Sequence, residues 1–241
     1  MKEDIFILAQ AYTLGDILEP PVQIAGGRSH QLWQCVSQQG RFAVKKLAIE
    51  PQQKKKLAEI RETERLAYFL SQYAIPALAA LQHKHDPIFC IAENCYLVYP
   101  WINGFHIFPT QVKPAQAYGI GKILRQLHQF PVDTIVPKIQ LPLFTYHALP
   151  ESQWQALADA AIACRLPYAD RFKEYLPTLI NIDQQGNIAL GKLEEARVIC
   201  HGDIDPYNVL WLDTQSFYLI DWELANLAPP VVDFVVCCSI L

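Results

Sequence analysis

Two short stretches of this 241-residue sequence concentrate side chains able to do chemistry. They are His201-Gly202-Asp203-Ile204-Asp205-Pro206-Tyr207-Asn208 and Leu219-Ile220-Asp221-Trp222-Glu223. Carboxylates with one amide suit phosphoryl transfer, which asks a protein for little covalent help. It needs a carboxylate to orient an attacking hydroxyl and accept its proton, and oxygen ligands that fix magnesium on the phosphates. The polar run Asp213-Thr214-Gln215-Ser216 predicts a hairpin in which Leu212 faces Phe217, Leu210 faces Leu219, and Asn208 comes opposite Asp221. Directly paired residues lie ~4.5–5.5 Å apart between Cα atoms. An amide oxygen and a carboxylate so placed can share one Mg²⁺, which prefers hard oxygen donors. The competing chemistry is a metal-dependent hydrolase with His201, Asp203 and Asp221 as ligands. It needs more His and Asp ligands than this segment supplies.

Asp203 and Asn208 have the separation found in the protein-kinase catalytic loop, where Asp is the base and Asn holds a metal. The pattern His-Gly-Asp-x-x-x-x-Asn followed by Ile-Asp-Trp-Glu resembles the catalytic segment of aminoglycoside phosphotransferases and their choline and ethanolamine kinase relatives. That resemblance implies Asp203 as catalytic base, Asn208 and Asp221 as Mg²⁺ ligands, and His201 as a buttress of the loop. It also implies a two-lobed, protein-kinase-like α+β fold, with ATP or GTP as co-substrate and a hydroxyl of a small molecule as acceptor. An amino-bearing, aminoglycoside-like compound is the first acceptor class and choline or a related amino alcohol the second. A catalytically inactive, nucleotide-binding module is the alternative of a different class. Intact Lys45, Asp203, Asn208 and Asp221 argue against it.

The elements that must position these groups follow from pattern. Leu32 to Val36 and Arg41 to Leu47 read as strands joined by the turn Ser37-Gln38-Gln39-Gly40. Residues 52–72 read as a helix with Leu57, Ile60, Ala67 and Leu70 on its apolar face. Strands near 88–92 and 96–101 follow, around Glu93-Asn94. Ala43 and Lys45 share a strand face, which resembles the Val-Ala-Ile-Lys strand of kinases, with Lys45 on the phosphates. Lys46 is the competitor. Gly27 and Ser29, in Ala25-Gly26-Gly27-Arg28-Ser29-His30, would meet the phosphates through backbone amides and a hydroxyl. Glu59, Glu62 and Glu64 all could hold Lys45. Arg61-Glu62 resembles the family's Arg-Glu pair and selects Glu62. Tyr96 to Gly104 resembles the family's hinge, so backbone near Tyr99 and Trp101 would bind the adenine edge. Leu124-Arg125-Gln126-Leu127-His128 resembles the family's Leu-x-x-Leu-His helix end, whose histidine is structural.

Residues 114–130, 151–166 and 167–180 read as helices, and 198–200, 209–212 and 217–220 as strands. The division expected is a β-rich nucleotide-binding lobe at 1–98, a hinge at 99–103, and a helical catalytic and acceptor-binding lobe at 104–241. The resemblance further implies helices beyond the present carboxyl end, and a cationic acceptor beside Glu151, Asp159, Asp170, Glu174 or Asp205.

Half the chain (51%) is hydrophobic, 18% is charged, and the formal net charge is −4. This globular balance offers no global basic field for nucleic acid or an anionic membrane. No apolar run is long enough to span a bilayer, and a cytoplasmic protein is expected. The seven cysteines are scattered and mostly apolar in setting, which predicts reduced thiols. His83, His85 and Asp86 with Cys90 and Cys95 fit no zinc spacing and read as a polar loop before a hairpin.

Overall fold

The structure is a computed structural model that describes residues 2–24, 30–49, 53–193 and 197–238. Its elements in chain order are α1 (Lys2–Ala11), β1 (Val22–Ile24), β2 (Gln31–Ser37), β3 (Gly40–Lys46), α2 (Lys54–Ser71), β4 (Ile88–Ile91) and β5 (Asn94–Pro100). There follow α3 (Pro114–His128), α4 (Glu151–Ala163), α5 (Ala169–Gly191), β6 (Val198–Cys200), β7 (Val209–Trp211), β8 (Phe217–Leu219), β9 (Asn226–Ala228) and α6 (Val231–Cys238). The fold is α+β and protein-kinase-like. None of the described helices is long and apolar enough to cross a membrane.

The first five strands form one antiparallel sheet in the order β1-β2-β3-β5-β4. Period-2 alternation gives it two working faces. Trp33, Cys35, Phe42, Val44, Tyr96 and Val98 point to one side and bury Ile5 and Leu8 of α1. Helix α1 is not among the elements that the sequence pattern predicts. Helix α1 is held as well by a 2.5 Å hydrogen bond from the Tyr96 hydroxyl to Asp4. Leu97 packs to the other side, against Leu57 and Ile60 of α2. Ala43 lies directly opposite Tyr99, and Lys45 opposite Leu97, so the face carrying Lys45 is the one that α2 covers.

The chain divides into two compact units, Met1–Pro142 with Val198–Leu241, and Leu143–Arg197. The first holds the sheet and a second core in which Leu66 and Leu70 of α2 and Leu124 and Leu127 of α3 meet the β7–β8 hairpin. In that hairpin core Val209, Trp211, Phe217, Leu219 and Trp222 are all buried. The second unit is the α4–α5 pair. Its buried Asp183 accepts from the Tyr146 hydroxyl, from Leu149 N at 2.8 Å and from Trp154 Nε1 at 2.8 Å. Helix α5 runs eleven residues past the expected end at 180, through Pro177. The carboxylate of Asp183, in that extension, supplies tertiary bonds that outweigh local propensity.

One cysteine reading is overturned. Cys90 and Cys95 are direct cross-strand partners in the β4–β5 hairpin and form a disulfide, with their Cα atoms 4.1 Å apart. Pairing across so short a turn brings two sulfurs together whatever the burial of their neighbours. Cys35 and Cys200 are free and buried. His83 donates from Nδ1 to Ala11 O at 2.9 Å, and Asp86 pairs with Arg61, so the loop before the hairpin is tied into the fold rather than shaped for a metal.

Candidate active site

The β7–β8 hairpin sets the site. Val209 pairs with Leu219 and Trp211 with Phe217, and Ile220 N donates to Asn208 O at 3.0 Å. The register is one residue off the sequence expectation, so Asn208 lies opposite Ile220 rather than Asp221. The cause is the turn. Asp213 Oδ1 accepts from Gln215 N (2.7 Å) and Ser216 N (2.8 Å), and Leu212 N donates to Ser216 O. This side-chain turn closes the loop at three residues instead of four. Asp221, one step beyond the pairing, adopts φ +62°, ψ +62°. That left-handed conformation costs a non-glycine residue energy and re-aims its side chain.

Asp203 and Asn208 are brought together. Asn208 Nδ2 donates to Asp203 Oδ2 at 2.8 Å and to Asp203 O at 2.9 Å. With its amino group so used, the amide has its Oδ1 to offer a cation. Asp205 lies two residues past the expected base and is half-buried. It caps the turn Pro206–Asn208 by accepting from Tyr207 N (2.7 Å) and Asn208 N (2.9 Å). Its Oδ1 is thereby committed to holding the loop. Glu151, Asp159, Asp170 and Glu174 are all exposed in the second unit.

Below the loop, fully buried Asp233 fixes the backbone. Its Oδ2 accepts from His201 N (3.0 Å) and His128 Nε2 (3.0 Å), and its Oδ1 from Gly202 N (2.7 Å). Gly202 is required here. Its φ is +83°, and a Cβ would stand 2.3 Å from Leu224 O. The His201 ring is buried against Trp222, centroids 4.5 Å apart, and its Nε2 donates to Ile220 O at 3.1 Å. Burial drives its pKa below the ordinary value, against the opposing pull of Asp233 and Asp221. A neutral buttress results, and the hydrolase ligand set loses its histidine to the loop. His128, Cys200 and Asp233 also bring ligand-type atoms within 4.8 Å of one another. Both oxygens of Asp233 already serve N–H donors, and burial keeps the Cys200 thiol protonated, so this is core hydrogen bonding.

Lys45 reaches across from β3. Its Nζ lies 3.0 Å from Asp221 Oδ1 and pairs with Glu223 Oε1. Burial alone would favour the neutral amine, but Glu223 and then Asp221 raise its pKa above the ordinary value. Glu62 is not among its partners. The Glu62 carboxylate binds Arg65 at 3.0 Å and Gln140 N at 3.0 Å, because on α2 its position turns away from the sheet. Glu64 is the helix carboxylate that faces inward. It accepts from the Tyr99 hydroxyl (2.6 Å) and from Ala80 N (3.0 Å), and the positive charge of Lys45 acts on it. Burial pushes its carboxyl up to about 7 despite those hydrogen bonds. A signal for it exists in the sequence: Leu57, Ile60, Glu64 and Ala67 fall on one helical stripe.

Tyr99 thus spends its side chain on Glu64, and Trp101 N donates to Arg41 O at 3.2 Å while its indole donates to Asn103. Gly27 and Ser29 lie outside the described residues. Two groups absent from the expected set join the site, His30 and Glu223, hydrogen-bonded at 2.8 Å. The donor set of Asn208 amide oxygen and Asp221 carboxylate is all hard oxygen and fits Mg²⁺. Asp221 is 41% exposed in its side chain and open to an incoming ion.

A model of the phosphotransferase enzyme family matches residues 21–241. No curated protein matches the chain. Among solved structures it is similar to spectinomycin phosphotransferase, APH(9)-Ia, in complex with ADP and spectinomycin, with a TM-score of 0.73 and 19% identity over 98% of this chain and 73% of that one. The GDP and kanamycin complex of APH(2")-IIIa gives 0.67 and 15% over 100% and 78%. Choline kinase from Cryptosporidium parvum Iowa II gives 0.59 and 15% over 98% and 68%.

Proposed function

The chain belongs to the phosphotransferase enzyme family, and on that premise we propose that it transfers the γ-phosphoryl group of ATP or GTP to a hydroxyl of a small, amino-bearing molecule. The carrying observation is the convergence of Asp203, Asn208, Asp221 and Lys45 on one hairpin edge, tied by the Asn208–Asp203 and Lys45–Asp221 bonds. ADP and GDP in two neighbouring structures support a nucleotide co-substrate. In this reading residues 1–98 cradle the nucleotide, and 99–103 form a hinge at the adenine edge.

Asp203 takes the role of base. The clamp from Asn208 holds its Oδ2 in place, so the carboxylate meets the acceptor hydroxyl already oriented and accepts its proton as the phosphoryl group moves. Lys45 exchanges its carboxylate partners for phosphate oxygens, neutralising charge that builds on them. Asn208 and Asp221 would hold Mg²⁺, which supplies charge stabilisation on the phosphates.

The test is a phosphoryl-transfer screen of the purified protein with Mg²⁺ and ATP or GTP against aminoglycosides, amino alcohols, sugars and amino acids. With the acceptor found, Asp203→Asn is expected to lower kcat by ~10²-fold or more while leaving nucleotide affinity near that of the wild type. An unchanged kcat removes Asp203 from the mechanism. Transfer to neutral sugars with amino-bearing compounds ignored removes the acceptor class.

A further inference from the structure

We infer that His30 is a positioning residue for the nucleotide, fixing Glu223 and through it the ammonium of Lys45. The inference rests on the phosphotransferase reading above but concerns residues that reading does not use.

The geometry sets the direction of each bond. His30 stands immediately before β2, and its Nδ1 lies 2.9 Å from the backbone N of Ala48, just past β3. A backbone N–H can only donate, so Nδ1 accepts and the ring proton sits on Nε2. That nitrogen is 2.8 Å from Glu223 Oε2 and donates to it. The second oxygen of Glu223 pairs with Lys45. The side chains of His30 and Glu223 are only 8% and 12% exposed, so water does not substitute for either partner. A continuous path runs from the Ala48 backbone through His30 and Glu223 to Lys45 and Asp221, joining positions 193 residues apart in sequence.

A carboxylate this buried must be compensated on both oxygens. Without the imidazole donor, Oε2 is left to seek Lys45, the cation already paired with Oε1. The ammonium is then drawn off the line on which it meets phosphate oxygens. Lys45 alone can be repelled or attracted in many directions; Glu223 held from behind leaves it one. Among the described residues, the charged groups around this path are Lys45, Asp221 and Glu64, with Tyr99 bonded to the last.

Calorimetric binding of Mg·ATP and Mg·GTP to the full chain tests this. His30→Ala is expected to weaken binding by about tenfold or more, the scale of a lost hydrogen bond to a charged group. Two variants separate the roles of the ring nitrogens. His30→Gln keeps a donor near Nε2 and is expected to recover most of the affinity, whereas His30→Asn, which mimics only Nδ1, is not. In a Glu223→Gln background His30→Ala should add little further loss, since coupled partners are not additive. Should His30→Ala fail to fold, the Gln and Asn pair carries the test alone. Equal affinity for His30→Gln and His30→Asn, or an undiminished His30→Ala effect in the Glu223→Gln background, overturns the inference and leaves the phosphotransferase reading standing. Wild-type protein that binds neither nucleotide overturns both.

Discussion

Asp233→Asn isolates what holds the catalytic loop in shape. The carboxylate is 0% exposed and takes three donors: Gly202 N at 2.7 Å on Oδ1, and His201 N and His128 Nε2, each at 3.0 Å, on Oδ2. An asparagine can keep one oxygen on one of the two backbone amides. Its NH₂ group must then face the other amide, donor against donor. The loss comprises at least one hydrogen bond to a charged acceptor, ~1.5–3 kcal/mol, and one buried N–H left unpaired, ~1–3 kcal/mol. The sum is about 2.5–6 kcal/mol, which brackets the loss found when one member of a buried charged network is removed. With a urea m-value of about 2–3 kcal/mol/M, the unfolding midpoint should fall by about 1–3 M. Tryptophan fluorescence is a suitable probe because Trp222 is buried against His201. Asp213→Asn is the matched control. Asp213 also accepts two backbone N–H groups, but in an exposed turn, so its midpoint should move far less. Equal midpoints for wild type and Asp233→Asn, or equal shifts for the two variants, would refute the reasoning that burial makes these bonds decisive.

Three further outcomes are expected. Asp221→Ala should weaken Mg²⁺-nucleotide binding, and Asn208→Ala should do so more mildly because a neutral oxygen is lost; a Mg²⁺ titration insensitive to both would remove them as ligands. Glu64 gives a pH signature, since burial raises its folded pKa from 4.5 to about 7. The native state then holds the proton more tightly than the unfolded one, so its contribution is full below about pH 4.5 and is lost as pH rises to about 7. Measured against Glu64→Gln across that window, wild-type stability should fall with rising pH, and a flat difference would disprove the shift. Last, Glu62→Gln should leave nucleotide affinity within about twofold of wild type, the scale of a surface pair, whereas a large loss would restore Glu62 as the partner of Lys45.

Much of the fold and the catalytic segment was legible because both rest on local rules. Alternation along β2 and β3, the helical stripe of α2 and the Asp203-to-Asn208 spacing each depend on residues close in sequence. The errors share a different origin. Hairpin register turned on one side chain, Asp213, whose oxygen shortened the loop by a residue and moved Asn208 from Asp221 to Ile220. Choosing Glu62 over Glu64 came from likeness to a dipeptide, whereas helical period alone places Glu64 among Leu57, Ile60 and Ala67. A carboxylate on an apolar stripe is costly unless it is partnered, and Tyr99 and Ala80, from distant segments, are the partners that make it tolerable. Helix α1 escaped notice because its buried face, Ile5 and Leu8, acquires meaning only against a sheet built 30 to 90 residues later. His30 and Glu223 were invisible for the same reason at greater range. A histidine before a strand and a glutamate after a tryptophan carry no local signature, and only folding sets one 2.8 Å from the other. The expected base, metal ligands and lysine come from segments whose chemistry is written in short spacings. The groups that restrain them, Glu64, Glu223, His30 and Asp233, come from wherever the chain happens to be packed beside them. Sequence pattern therefore finds the side chains expected to react before it finds those packed around them.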